Sequence, residues 1–246
     1  MNRIRPYGSW SSPITAEVVV AGAAGLGEVV VDGDDVWWAE SRPDEGGRTV
    51  VVRLSSDGTV DDMVPAGVDV RTGVHEYGGG AWWAAGGVLV YSDRADERLY
   101  RRDADGGPVV LTPEPGGPRA LRYADGRTTP DGRWYVCVRE SHEGGDGHAE
   151  PSNELVAVAM DGSLRVEVLV TGPDFVASPR ISPDGLRLAW IQWNHPDLPW
   201  DDTELWVADL AIGPEACTLS GGRCVAADGE SFFQPEWRPD GVLHVV

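Results

Sequence analysis

The sequence has 246 residues, which is enough for one large domain or two small ones. Its 40 acidic and 20 basic residues, all of the latter arginine, give a net charge of −20 at pH 7, and a surface of that sign repels nucleic acid. The first ten residues lack the apolar core of a signal peptide, and no apolar run approaches the roughly 18 to 20 residues of a membrane span, so we expect a cytoplasmic protein with no membrane partner.

Glycine-containing turns recur along the chain at a nearly constant interval. Gly33, Gly86, Gly132, Gly185 and Gly241 are spaced by 53, 46, 53 and 56 residues. The last three each follow Pro-Asp, a pair typical of tight turns, because Pro presets φ, Asp bonds the nearby backbone and Gly supplies a positive φ. The regular interval indicates an internal repeat.

Each turn is followed by a short apolar run, and a second such run follows a polar loop. The first runs occupy 36–39, 88–91, 134–138 and 188–191, and a truncated fifth occupies 242–246. The second runs occupy 49–54, 98–102, 154–159 and 204–209. Both sets are rich in β-branched and aromatic residues and are too short for a typical helix, so they are predicted to be strands.

The repeat predicts a four-stranded antiparallel meander of about 50 residues, which is the size of a β-propeller blade. The predicted fold is therefore all-β: an incomplete β-propeller of about four four-stranded antiparallel blades plus the start of a fifth, in one domain over 1–246. The blades are placed near 26–64, 80–113, 120–171 and 176–227, and the fifth begins at Phe233. A β-sandwich with incidental turns is the alternative, which the constant order of turns and strands disfavours.

Two local features stay open at this level. Residues 16–24 form either a short helix or an extended arm. Cys217 and Cys224 flank a Ser-Gly-Gly sequence that we interpret as a hairpin turn, across which they either form a disulfide or, in the commoner case, remain thiols. Three cysteines in all argue against a secreted disulfide scaffold.

Several segments carry a resemblance to a known family. His-Glu-Tyr-Gly-Gly at 75–79, Asn-His-Pro at 194–196 and Gln-Pro-Glu-Trp at 234–237 are more specific than the Pro-Asp-Gly turns. Further matching segments are 7–10, 12–15, 174–180, 182–185, 199–201 and 203–206. Together they resemble the acylaminoacyl-peptidase and dipeptidyl-aminopeptidase branch of the prolyl oligopeptidase family, over essentially the whole chain.

The resemblance implies that this chain is the N-terminal propeller of a serine peptidase. Members of the family carry a propeller that covers a C-terminal α/β-hydrolase domain and restricts entry to short peptides, and the hydrolase domain supplies a Ser-Asp-His triad with its serine in Gly-x-Ser-x-Gly. The present sequence contains no Gly-x-Ser-x-Gly and stops just after a turn, inside a predicted strand. We therefore expect a truncated chain that lacks the hydrolase domain, has no catalytic residue of its own and is inactive alone.

The resemblance directs attention first to His75, Glu76 and Tyr77, which precede three glycines. In the functional interpretation Glu76 faces the cavity between the two domains, where it binds the amino end of a peptide or an arginine of the hydrolase domain. In the structural interpretation the segment is a corner, with Glu76 bonded to nearby backbone or to Arg71. Arg71 is itself counted with these residues as a candidate for binding substrate or the partner domain.

A second candidate is the longest loop of the fourth blade, which contains Asn194 and His195. It either reaches a ligand or partner domain, or it is a surface loop stiffened by its prolines. A loop with His142, Glu143, Asp146 and His148 has the residue types of a metal site without a known spacing, so we expect no metal and no cofactor.

Three functions are compatible with these observations. The first is a gating and substrate-selecting propeller of a serine oligopeptidase or exopeptidase, with short peptides and the hydrolase domain as partners. The second is a stand-alone propeller that binds a protein or peptide and has no enzymatic activity. The third, a propeller glycosidase, is disfavoured because the acidic residues lie in loops and turns without the apolar surroundings that raise a carboxyl pKa.

Overall fold

The computed structural model describes residues 6–9, 11–104, 106–143, 150–227 and 229–246 and confirms the all-β prediction. Four four-stranded antiparallel sheets are followed by a two-stranded hairpin. The described helical elements are α1 (Ala16–Val20), whose first turn is capped by the Thr15 hydroxyl, and one turn of 3-10 helix (Pro43–Glu45). Among the described residues, no helix has the length and apolarity to span a bilayer.

The sheets occur in chain order and are called blades 1 to 4. Blade 1 consists of β1 (Gly25–Asp32), β2 (Asp35–Arg42), β3 (Arg48–Leu54) and β4 (Val60–Asp62). Blade 2 consists of β5 (Trp82–Ala85), β6 (Val88–Ser92), β7 (Leu99–Arg102) and β8 (Val109–Val110). Blade 3 consists of β9 (Leu121–Thr128), β10 (Trp134–Ser141), β11 (Ser152–Ala159) and β12 (Val166–Val170). Blade 4 consists of β13 (Phe175–Ile181), β14 (Arg187–Trp193), β15 (Glu204–Ile212) and β16 (Cys217–Ala226). The hairpin that follows consists of β17 (Glu236–Trp237) and β18 (Leu243–His244).

The blades are arranged around their first strands. β1 contacts β5, β5 contacts β9, β9 contacts β13, and β13 contacts β17. Within each blade the strands follow one another outward in chain order. This radial meander is the arrangement of a β-propeller, and the predicted blade limits agree with the observed ones to within three residues.

Blades stack face to face, so both faces of an inner sheet are buried. In β10, Val136 and Val138 belong to the apolar cluster shared with blade 4, whereas Tyr135 and Cys137 belong to the cluster shared with blade 2. Successive side chains of a strand point to opposite faces. Burial on both faces therefore explains why the second strands are continuous apolar runs and do not alternate between apolar and polar residues.

A residue with positive φ recurs at the inner strand of every blade. These residues are Glu28, Gly80, Asp125, Ser178 and Gln234, with φ of 43°, 59°, 55°, 53° and 51°. Their spacings of 52, 45, 53 and 56 residues follow the repeat of the hairpin glycines. In β1, β9 and β13 they coincide with a shift in strand register, as expected for β-bulges.

These positive-φ residues bond to one another across the blade boundaries. The Gly80 nitrogen donates to Glu28 Oε1 (3.1 Å), the Asp125 nitrogen donates to the Gly80 carbonyl (2.7 Å), and the Ser178 nitrogen donates to Asp125 Oδ2 (2.7 Å). This series, called the bulge network below, links the inner strands of all four blades.

The structure corrects the interpretation of the Ser-Gly-Gly segment at 220–222. Cys217 and Cys224 lie on one continuous strand, β16, whose pairing with β15 shifts register around Ser220. They therefore do not face each other across a hairpin, since the extra residue is absorbed as a bulge and the strand continues. Of the segment 16–24, only Ala16–Val20 is helical.

Replacing Gly80 with alanine tests the bulge network. A Cβ there would lie 2.7 Å from the Asp125 Cα, on backbone that also has φ of +59°. Gly33 has nearly the same φ, +62°, but open space around it, so Gly33→Ala measures the conformational strain alone. We expect Gly33→Ala to lower the free energy of unfolding by about 1 kcal/mol and Gly80→Ala by about 3 kcal/mol, because overpacking is added to the strain. If urea unfolding gave the same loss of free energy for both variants, the close contact between Gly80 and Asp125 would not contribute to stability.

Candidate functional site

Strand direction alternates within each blade, so two sets of connections emerge on opposite faces. The tight hairpins between first and second strands lie on one face. The connections between blades, such as 63–81 and 171–174, share the other face with the loops that follow β10 and β14. This second face, called the loop face, contains a cleft of about 640 Å3 built from all four of these connections.

One wall of the cleft is the turn formed by His75, Glu76 and Tyr77. His75 and Glu76 have φ of 53° and 67°, a conformation rarely adopted outside glycine. The turn is closed by hydrogen bonds from the Glu76 nitrogen to the Gly73 carbonyl (3.0 Å) and from the Gly78 nitrogen to the Val74 carbonyl (3.0 Å). Such strain persists where surrounding contacts determine the conformation.

A buried carboxylate fixes this turn against blade 3. Glu140, at the end of β10, has a side chain only 2% exposed, and its Oε2 accepts a hydrogen bond from the His75 nitrogen (2.6 Å). Its Oε1 lies 2.9 Å from Arg122 Nη1 and 2.7 Å from His142 Nε2. The same Arg122 nitrogen donates to Glu76 Oε1 at 2.8 Å. Arg122 therefore joins the buried carboxylate to an exposed one.

Glu76, Glu140 and His142 offer three metal-ligating atoms within 4.8 Å of one another. Arg122 Nη1 contacts both carboxylates, so its guanidinium already supplies the positive charge between them. The contact also lowers the pKa of Glu76 and keeps that carboxyl ionised. This geometry favours an ion-pair cluster over a metal centre. Of the metal-like loop proposed from the sequence, Asp146 and His148 lie outside the described residues.

Aromatic rings form the floor of the cleft. Phe175 and Trp193, paired across β13 and β14, are stacked with centroids 5.1 Å apart and planes at 9°. His75 meets both rings edge-on, each at 5.6 Å, and His195 meets Phe175 edge-on at 5.1 Å. Edge-to-face and stacked contacts of this kind stabilise aromatic clusters. The cluster brings the two histidine-containing segments predicted from the sequence into contact with the same pair of rings.

His75 is held in a mostly apolar environment. Its Nε2 is buried, as is Asn153 Oδ1, and neither has a hydrogen-bond partner of normal geometry among the described residues. Burial lowers the pKa of His75, and the nearby Glu140 charge and Asn153 side chain oppose that shift in part. The imidazole is therefore biased toward its neutral form.

The opposite wall is held by Asn194 and its neighbours. Asn194 Oδ1 accepts from the Asp174 nitrogen (2.9 Å), and Asp174 Oδ2 accepts from the His195 nitrogen (2.9 Å). His195 Nε2 lies 3.0 Å from Glu150 Oε2. Asn194 thus positions the loop, while His195 and Glu150 line the cleft.

Arg71, the remaining candidate, lies elsewhere. It forms an ion pair with Asp69, and Glu76 is bonded to Arg122, so the expected alternative pairing of Glu76 with Arg71 does not form. The exposed Tyr77 separates Arg71 from the aromatic cleft, because it lines both that cleft and the one containing Arg71.

Sequence reasoning missed Arg122, Glu140 and Asn153, which hold the cleft together. Arg122 and Glu140 are polar residues in inner strands, and they are cross-strand partners in β9 and β10. The available signal was the position of a charged residue next to a continuous apolar run. Because charges are rarely buried without a partner, such a residue indicates a buried ion pair. The partner itself was not identifiable, because Glu140 and His75 are 65 residues apart.

Comparison with known proteins gives a consistent picture. No family model matches the chain, and no curated protein matches it. A puromycin-hydrolysing peptidase from Mycobacterium tuberculosis is 40% identical over 100% of this chain, with a TM-score of 0.85. A mutant puromycin hydrolase complexed with PGG is 36% identical over 98% of this chain, with a TM-score of 0.86. The chain spans 39% and 38% of these two proteins, respectively.

More distant structures share only the fold. TolB from Acinetobacter baumannii is 15% identical over 89% of this chain, with a TM-score of 0.57. The puromycin-hydrolysing peptidases are prolyl oligopeptidase family members, so the family resemblance indicated by the sequence motifs is confirmed for the part that this chain shares with them.

The low pKa of His75 predicts a pH-dependent stability. Between its folded pKa and the value of about 6.5 in the unfolded chain, the unfolded state binds more protons, so the free energy of unfolding rises with pH and falls as the pH drops below about 6.5. We expect the loss between pH 7 and pH 5 to be smaller in His75→Gln than in the wild type. The control His244→Gln, at an exposed site, should retain the wild-type profile. Identical urea-unfolding profiles for wild type and His75→Gln would contradict the assignment.

Proposed function

We propose that this chain is the substrate-selecting propeller of a serine peptidase of the prolyl oligopeptidase family, and that its aromatic cleft binds the amino end of a short peptide. The observation that carries the proposal is the meeting of exposed carboxylates and stacked aromatic rings in one cleft of the loop face. Peptide hydrolysis would be performed by a Ser-Asp-His triad of a C-terminal hydrolase domain outside this chain. The propeller would contribute binding, orientation and restricted entry.

The charge of the cleft favours a cation. Glu76, Glu150 and Asp174 line it together with the buried Glu140. Arg122 forms ion pairs with two of these four carboxylates, Glu76 and Glu140. The Glu76 side chain is 79% exposed, and only its Oε1 is engaged by Arg122. Its Oε2, which has no hydrogen bond among the described residues, can accept one from a terminal ammonium group.

The apolar walls favour a ligand with a hydrophobic side chain beside that ammonium. Tyr77, Phe175, Trp193 and Trp200 all line the cleft, and Trp200 is exposed. Aromatic faces attract cations as well as apolar groups, at about 0.5 to 1 kcal/mol for exposed sites. An amino-terminal residue with an apolar side chain satisfies both features of the cleft.

The preference for a charged amino terminus distinguishes between the two kinds of peptidase that the sequence resembles. An acylaminoacyl-peptidase takes a blocked amino terminus, whereas a dipeptidyl-aminopeptidase needs a free one. The exposed carboxylates of the cleft favour the second kind of substrate, because they attract a charged ammonium group and have no such charge attraction to an uncharged acyl group. We therefore propose an aminopeptidase-like specificity.

The DNA sequence downstream of codon 246 tests whether a hydrolase domain belongs to this protein. Continuation of the reading frame beyond codon 246 into further blades and a Gly-x-Ser-x-Gly sequence would support the peptidase proposal. A stop codon followed by unrelated sequence would favour the stand-alone peptide-binding propeller. Purified chain 1–246 should leave puromycin intact under either outcome, and hydrolysis by it would overturn the assignment of the chemistry to another domain.

A matched peptide pair tests the proposed cleft. We expect the amide of Phe-Gly-Gly with a free amino terminus to bind chain 1–246 about tenfold more tightly than its N-acetyl derivative in calorimetry, because a charge-assisted hydrogen bond contributes about 1.5 to 3 kcal/mol. Glu76→Gln should abolish most of this difference. Glu215→Gln, which changes another exposed carboxylate paired with an arginine, in the β15–β16 turn of the opposite face, should preserve it. Equal affinities of both peptides for the wild type would contradict the proposal.

A further inference from the structure

A second cleft lies on the loop face, at the boundary of blades 1 and 2. It has a volume of about 670 Å3 and is separated from the aromatic cleft by the turn of Glu76 and Tyr77, which lines both. Three arginines line this second cleft: Arg71, Arg94 and Arg119. Their convergence is notable in a chain with twice as many acidic as basic residues.

Two of these arginines are held in place by hydrogen bonds to carboxylates. Arg71 uses Nε and Nη2 to contact Asp69, and Arg119 uses Nε and Nη2 to contact Glu97 Oε1, the latter at 3.2 and 2.7 Å. Glu97 is completely buried and also accepts a hydrogen bond from the Gly73 nitrogen (3.2 Å). Each guanidinium is therefore anchored along one edge. Its Nη1 has no partner among the described residues.

The third arginine, Arg94, interacts with Asp69 through its charge. The side chain of Arg94 forms no hydrogen bond and no ion pair with any described residue, although its backbone nitrogen is bonded to the Asp69 carbonyl (2.9 Å). All of its guanidinium donors are therefore available. The side chains of Arg71 and Arg119 remain 43% and 39% exposed, so their free nitrogens are accessible from the same cleft.

The donors suit a carboxylate better than a phosphate. A planar guanidinium fork matches the two oxygens of a carboxylate. Glu28 and Glu76 also line the cleft, and their charges repel a doubly charged phosphate more strongly than a singly charged carboxylate. The hydroxyl groups of Ser41 and Thr49 add neutral donors, and Trp82 adds an apolar wall.

We propose that the arginine cleft binds the α-carboxylate of a short peptide whose amino end occupies the aromatic cleft. This inference rests on the proposed function, because the aromatic cleft defines the other end of the same ligand. The two clefts meet at Glu76 and Tyr77, so a peptide that crosses this turn has an acidic environment at its ammonium end and a basic one at its carboxylate end. The loop face then selects small peptides with both termini free.

Four versions of one peptide separate the two proposals. Phe-Gly-Gly is prepared with a free or acetylated amino terminus and, independently, as the free acid or the amide, and binding to chain 1–246 is measured by calorimetry. We expect the free acid to bind about five- to tenfold more tightly than the amide. Arg94→Gln should remove this preference while the preference for the free amino terminus persists. Arg133→Gln, which removes an exposed arginine from the β9–β10 turn of the opposite face, should retain both preferences.

The outcomes are distinguishable. Equal binding of acid and amide, with the amino-terminal preference intact, would overturn the arginine-cleft proposal alone. Loss of the amino-terminal preference, or no measurable binding of any version, would overturn both. A preference for the acid that survives in Arg94→Gln would also contradict the site assignment. Because the Arg94 side chain forms no hydrogen bond or ion pair among the described residues and loses only its charge interaction with Asp69, the variant should unfold close to the wild-type urea midpoint, and this measurement verifies that its fold is intact.

Discussion

The hydrogen bond from the Ser178 nitrogen to the Asp125 carboxylate joins the inner strands of two neighbouring blades, and the contacts among Glu28, Gly80 and Asp125 do the same for the others. A bulge leaves one residue out of the pairing of its own sheet. The N–H groups of Asp125 and Ser178 then bond to the preceding blade, at the Gly80 carbonyl and the Asp125 carboxylate, so both donors have a partner. This network contributes to the radial arrangement, which brings the connections between blades together on the loop face.

The aromatic cleft depends on a second set of buried polar contacts. Glu140 is enclosed by the His75 backbone, Arg122 and His142, and each contact offsets part of the cost of removing a carboxylate from water. Removing one partner of such a buried pair typically costs about 3 to 5 kcal/mol, because the other charge is left unpaired. Arg122 therefore serves structure and site together, since it holds the strained turn and orients the exposed Glu76.

The two clefts of the loop face have opposite electrostatic character although they share a wall. The aromatic cleft presents Glu76 and Glu150 beside stacked rings, whereas the other presents the free edges of Arg71, Arg94 and Arg119. In a strongly acidic protein, arginines that are anchored by carboxylates yet keep free donors form a local exception to the overall field. The proposed binding of a zwitterionic peptide would use both clefts at once.

The sequence by itself determined the blades, because turn chemistry and strand composition are local: Pro-Asp-Gly at 130–132 and the apolar run at 134–138 predict a turn and a strand wherever they occur. It also singled out His75, Glu76 and His195 through the family resemblance. Only the tertiary structure decided that Glu76 pairs with Arg122 instead of Arg71, and that the segment around Ser220 continues as a bulged strand. Those outcomes depend on contacts between residues far apart in the chain, and their geometry is set by how the blades stack.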